Sequence, residues 1–148
     1  MDSIRLPATL ESIAEVRAFL KAKMKEWNLE TRLAERVELA LEEALVNISR
    51  YAYAGQGGDF EVRCALGDEG QLLMEIHDGG VPYNPLERGR PDPSLDLASR
   101  RVGGWGVEFM RQMADDLQYT YIQGENILSL TFRPRETGPP VVPETKLG

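Results

Sequence analysis

The sequence is short of the residues from which staples and metal sites are made, with one cysteine, Cys64, and one histidine, His77, in 148 residues. A single thiol cannot close an internal disulfide, and one thiol with one imidazole cannot furnish a zinc site. No apolar run is long enough to cross a bilayer. The opening Met1-Asp2-Ser3-Ile4-Arg5 lacks the basic-then-apolar layout of a secretory leader, so a cytoplasmic protein is expected. Positive charge is scarce as well: 17 Lys and Arg stand against 24 Asp and Glu, a formal net charge of −7. A nucleic-acid partner, which needs clustered cations against phosphate, is thereby disfavoured. Two phosphate-binding designs are also missing, the Gly-x-x-x-x-Gly-Lys-Ser/Thr loop and a Rossmann fingerprint in its strand–helix context.

What is present is 42% hydrophobic, enough for one core in a domain of this size without disulfide or metal. Residues 1–133 read as that domain. The tail, 134–148, carries Pro134, Pro139, Pro140 and Pro143 among charges, has little to bury, and is expected to be disordered.

Ser3 to Leu6 reads as a short strand closed by Pro7. Leu10, Ile13, Val16, Leu20 and Met24 recur at helical spacing, predicting a first helix from about Leu10 to Trp27, broken at Asn28. A second helix is expected from Thr31, read as its N-cap, to about Tyr53. Phe60, Val62, Cys64 and Leu66, then Leu72, Met74 and Ile76, alternate as two strands around Gly67-Asp68-Glu69-Gly70. From Val81 to Val102 the pattern dissolves into prolines, charges and serine, which predicts a functional loop with one short helix near Leu95 to Ser99. A third helix should start after Gly106 and end near Asp115, followed by strands at about Leu117 to Ile122 and Asn126 to Phe132, joined at Gly124. The order implies an α+β two-layer sandwich: a mixed, mostly antiparallel sheet of about five strands with three helices on one face.

Chemistry is suggested in three places. On the second helix, at about 100° per residue, Leu33, Val37, Leu41, Ala44, Leu45 and Ile48 form one apolar stripe, with Glu43 and Asn47 stacked at its edge. Asn is a poor helix-interior residue and its side-chain oxygen suits Mg2+, while a neighbouring Glu can orient or deprotonate an attacking hydroxyl or water. Against this, Glu43 could be an ordinary helix former. In the second place, His77-Asp78-Gly79-Gly80-Val81-Pro82 stands where a buried strand stops. Asp78 could accept from an exocyclic amine such as that of adenine, and Gly80 could let a flat ring approach; the plain alternative is an Asp-Gly turn. The third is Val102-Gly103-Gly104-Trp105-Gly106-Val107, where glycines precede a helix whose free N–H groups could meet phosphate, or merely link.

Taken together, these motifs resemble those of the GHKL (Bergerat-fold) ATPases, and more closely the bacterial anti-sigma factor serine kinases. Glu38-Leu39-Ala40-Leu41-Glu42-Glu43-Ala44-Leu45-Val46-Asn47 is similar to their N box, and Asp78-Gly79-Gly80-Val81-Pro82-Tyr83-Asn84-Pro85 to their G1 box. Gly104-Trp105-Gly106-Val107 with Phe109 to Asp115 resembles their G2 box and its helix. The likeness covers about Ile4 to Phe132.

The resemblance implies a Bergerat fold that binds ATP with Mg2+. Glu43 would be the general base, Asn47 the Mg2+ ligand, and Asp78 the acceptor for the adenine amine, with Gly80 beneath the ring and Pro82 in the same box. Residues 86–102 would form an ATP lid, with Gly103, Gly104, Gly106 and Val107 on the phosphate side, Arg100 and Arg101 reaching phosphate, and Thr131 a candidate on the adenine side. Expected partners are a sigma factor and a small anti-sigma antagonist phosphorylated on Ser or Thr, with homodimerisation, no membrane and no direct nucleic acid. Departures fall at Tyr51, where the family usually has His, and at Trp105, where a smaller or basic residue is common. They keep open a second reading, a nucleotide-gated module that sequesters a regulator without phosphotransfer.

Overall fold

A computed structural model describes residues 1–53, 56–87 and 105–135, apart from the side chains of Tyr51 and Trp105. The expected helix near 95–99, Arg100, Arg101, Gly103, Gly104, and most of both the lid and the tail lie outside these residues.

Strands form where apolar residues alternate, because successive side chains point to opposite faces. They are β1 (Asp2–Pro7), β2 (Asp59–Leu66), β3 (Leu72–Asp78), β4 (Asp116–Ile122) and β5 (Glu125–Phe132). The sheet runs β1-β2-β3-β5-β4, and each neighbouring pair is antiparallel. The mixed character expected of it is therefore not found among the described residues. A tight turn joins β4 to β5, with Gln123 at φ 52° and Gly124 at φ +80°, the left-handed pair that matches strand twist.

Helices α1 (Ser12–Glu26), α2 (Thr31–Asn47) and α3 (Trp105–Met113) share one side of the sheet. Ile13, Val16, Leu20 and Met24 from α1 and Leu33, Val37, Leu41, Ala44 and Leu45 from α2 meet Phe60, Val62, Met74, Ile76, Leu128, Leu130 and Phe132 in a single core. Each fully buried Leu or Phe there contributes about 1.5–3 kcal/mol. Asn28, at φ 55°, ends α1 in the left-handed conformation that Asn tolerates.

Two helix boundaries differ from expectation. Glu30 occupies the N-cap of α2 with extended backbone and no side-chain cap bond, so Thr31 is the first helical residue and not the cap. At the other end the α-helix stops at Asn47, and a π-helical turn, Ile48–Ala52, carries the chain onward. A continuous helical pattern cannot distinguish the two hydrogen-bond spacings, although π turns gather at functional sites.

One buried charge fixes α3. Arg36 of α2, 9% exposed, donates from Nη1 to the Met113 carbonyl at 3.0 Å and to Asp115 Oδ2 at 3.2 Å, and from Nη2 to the Arg133 carbonyl at 2.6 Å. It thereby satisfies a carbonyl left over at the end of α3 and ties that helix to the exit of β5.

Candidate functional site

Asp78 ends β3 on the face that carries the core, directly opposite Asn126 of β5. Both are polar and both are 6% exposed, so their hydrogen bonds must be made internally. The Asp78 Oδ1 accepts from the Gly80 N–H at 2.9 Å and from Asn126 Nδ2 at 3.0 Å. Asn126 Nδ2 also reaches the Val81 carbonyl at 2.9 Å and the Gly80 carbonyl at 3.4 Å. On its other side, Asn126 Oδ1 accepts from the Tyr83 N–H at 3.0 Å and from the Tyr119 hydroxyl. One amide thus holds the whole Asp78–Tyr83 turn. The second oxygen of Asp78 has no hydrogen-bond partner among the described residues. Burial raises the Asp78 carboxyl above its ordinary value and Glu125 adds to this, while the bonds from Asn126 and Gly80 and the nearby His77 pull the other way.

The same turn packs against the end of the π turn. The Val81 N–H donates to the Ala52 carbonyl at 3.0 Å. A Cβ on Gly80 would stand 2.0 Å from that oxygen, so the missing side chain makes room for the protein's own backbone. The chain here approaches Ala52 too closely for any other residue. This approach by itself requires a glycine at the position, apart from any role beneath a bound ring.

Between these elements lies an open cleft of about 490 Å3, counted to its mouth and including solvent space. Ile76, Val81, Met110 and Leu128 supply apolar wall, and Asn47, Asp78 and Asn126 supply polar groups. Asn47, near the C-terminal end of α2, lines the cleft with an amide that has no hydrogen bond among the described residues. Such an arrangement fits a flat apolar body bearing an amine for Asp78, with a hard-oxygen donor offered by Asn47 to a hydrated cation.

Glu43, one helical turn before Asn47, is half-buried and does not line the cleft. Burial raises its carboxyl above the ordinary value, the charge of Glu42 adds to that, and Arg50 offsets it. Glu42 itself is exposed and reaches Arg17 of α1 at 2.7 Å.

The other sequence-derived candidates are placed unevenly. Pro82 is exposed and does not line the cleft. Gly106 lies in the first turn of α3, and Val107, 2% exposed, belongs to the core, with Met110 one turn further on reaching the cleft. Thr131 is not brought to the site. It alternates with Leu130 and Phe132 and so faces away from the helices, and it pairs with Leu73, five residues before Asp78. At about 3.3 Å per residue that is some 16 Å along the strand. His77 also lies on the outer face, between Glu75 at 2.9 Å and Glu125 at 3.2 Å.

Sequence reading missed Asn126, Tyr119 and Tyr53. A signal for Asn126 existed: it occupies an inward position in the same alternation as Leu128, Leu130 and Phe132. A buried amide at such a place needs partners, though which strand supplies them is set by the register that pairs it with Asp78.

Residues 6–132 match the histidine kinase-like ATPase domain, and the chain belongs to that family. The chain is 26% identical to the serine-protein kinase RsbW of Bacillus thuringiensis, with 90% of this chain and 85% of that protein aligned. It is 23% identical to the serine-protein kinase RsbW of Listeria monocytogenes, with 88% and 85% aligned. Among solved structures, a Mycobacterium tuberculosis chain comprising RsbU and RsbW domains superposes with a TM-score of 0.60 at 18% identity. That superposition covers 90% of this chain and 32% of the larger one, and it speaks for the fold.

Proposed function

We propose that this chain binds ATP with Mg2+ in the Asn47–Asp78 cleft and acts as an anti-sigma regulatory factor that phosphorylates a serine or threonine of a small antagonist protein. The observation that carries the reading is the meeting, in one cleft of an ATPase-family domain, of an Asn47 amide and an Asp78 carboxylate oxygen that both lack a hydrogen bond among the described residues. Asp78 would accept the adenine amine. Asn47 would offer its oxygen to Mg2+, and Arg100 and Arg101 are the cations proposed for the phosphates. Among the described residues no group of three or more His, Cys, Asp or Glu could hold a metal, so in this reading the ion is shared between Asn47, water and phosphate oxygens. Bound ATP would supply the transferable phosphoryl group. Glu43 would orient the attacking hydroxyl and take its proton.

The similarity to the serine-protein kinases named RsbW supports the reaction class; a sigma factor and a small antagonist as partners, and a homodimer, are proposed along with it. No helix among the described residues is long and apolar enough to cross a membrane, and the cytoplasm is the proposed compartment. The test is transfer from labelled ATP to the cognate antagonist protein, in Mg2+. Glu43→Gln should reduce transfer by at least about 100-fold while ATP affinity is kept. Because the base works ionised and its carboxyl is raised, transfer should grow as pH climbs through that raised value. A Glu43→Gln protein that transfers normally contradicts the role.

A second reading is favoured by the position of Glu43 outside the cleft lining: nucleotide-gated sequestration of a regulator without transfer. Tight ATP binding with stoichiometric capture of a partner, and no phosphoprotein, would select it.

A further inference from the structure

The β2–β3 ladder stops one rung before its register requires. Phe60 pairs with Asp78 and Glu61 with His77, so Asp59 and Gly79 would face each other next. A side chain stands between them instead. The Tyr53 hydroxyl donates to the Asp59 carbonyl and accepts from the Gly79 N–H at 2.7 Å. The ring that carries it occupies the space over Gly58, where a Cβ would come within 2.3 Å of the tyrosine. Its neighbour Ala52 receives the Val81 N–H and abuts Gly80.

We infer that Tyr53 is a positioning residue of the nucleotide site: its hydroxyl splits the last rung of the ladder and latches the Asp78–Val81 turn to the end of the helix bearing Asn47. The inference rests on the nucleotide reading above and adds to it the device that sets the spacing of the two ligand-facing residues. The physical reason is geometric. Directly bonded, Asp59 and Gly79 would extend the ladder, and the strands would continue at the usual separation of about 4.8 Å. A hydroxyl interposed between donor and acceptor widens that gap, so Gly79 and Gly80 can leave the sheet and cross over Ala52. Asp78, held on its other side by Asn126, then keeps one oxygen for the cleft. The five residues between Asn47 and Tyr53 are the π turn Ile48–Ala52 itself, so the latch and the proposed Mg2+ ligand move as a unit.

Two measurements test this. Hydrogen exchange of the wild-type protein reads the latch itself: Gly79 is exposed, yet its amide should exchange at least about tenfold more slowly than that of exposed, unpacked Gly57, and more slowly still with ATP and Mg2+. In Tyr53→Phe the ring stays over Gly58 and only the hydroxyl is lost. Its ATP affinity should fall about threefold to tenfold, and its preference for ATP over GTP should fall with it, because a loosened turn no longer fixes the acceptor for the amine. A purely structural tyrosine would change melting temperature without changing that preference. Wild-type protein that does not bind ATP defeats the nucleotide reading and this inference together. Wild-type binding with unaltered affinity and preference in Tyr53→Phe overturns this inference alone. Should the variant not fold, the wild-type Gly79 amide decides: exchange as fast as that of Gly57 and indifferent to ATP overturns the proposal.

Discussion

Asn126 faces Asp78 across the β3–β5 ladder, its Nδ2 at 3.0 Å from Asp78 Oδ1, and the same side chain holds the carbonyl of Val81 and the N–H of Tyr83. Ordinary strand pairing brings the two residues opposite each other. What is specific is that both are polar and both point inward. Asn126→Ala would strand several buried polar groups at once, at a cost of about 2–3 kcal/mol. Urea unfolding without nucleotide measures it, and a loss below about 0.5 kcal/mol would show that the network carries little.

Gly80 offers a sharper separation of causes. Because a Cβ there meets the Ala52 backbone, Gly80→Ala should destabilise the protein by about 1–3 kcal/mol before any ligand is added. Were the glycine needed only beneath a bound ring, the ligand-free variant would melt like the wild type.

Acid stability follows from Asp115. Burial by itself would raise its carboxyl, but the Arg133 N–H and the Arg36 and Arg135 guanidinium groups outweigh that and hold it below its ordinary 3.8. A depressed carboxyl contributes stability above its unfolded pKa and loses it as pH falls through the folded value. Stability should therefore decline as pH drops below about 4, and Asp115→Asn should flatten that part of the profile while lowering stability at pH 7 by about 1–3 kcal/mol. Unfolding free energies across pH 2.5–7 check both signs. An Asp115→Asn profile parallel to the wild type would contradict the assignment. Asp78 has the opposite sign: its raised carboxyl costs stability when ionised, and acid relieves that cost.

The sheet and helices were legible because their faces are written in simple periods, as in Phe60, Val62 and Cys64 or Val16, Leu20 and Met24. Asn47 and Asp78, which line one cleft, could be singled out because each is out of place in its setting, an amide within a helix and a carboxylate ending a buried strand. Other features escaped for a physical reason. Asn126 matters only through its partner across the ladder, and Tyr53 through a rung it interrupts. Register is a property of two strands that neither reveals alone. Thr131, named from a likeness of motifs, lies away from the cleft both by the face it takes and by its distance along β5, and a motif specifies neither. The π turn escaped because Ile48 continues the apolar stripe of α2 whichever hydrogen-bond spacing the backbone adopts.

The central claim is that Asn47 and Asp78 serve one ligand, and calorimetric titration of the full chain with ATP in Mg2+ tests it most directly. The account expects a single binding event for the wild type, an affinity about 10–100-fold lower in Asp78→Asn because a bond to a charged acceptor is lost, and in Asn47→Ala a residual affinity indifferent to Mg2+. Absence of binding heat in the wild type, or variants that titrate as it does, would contradict it.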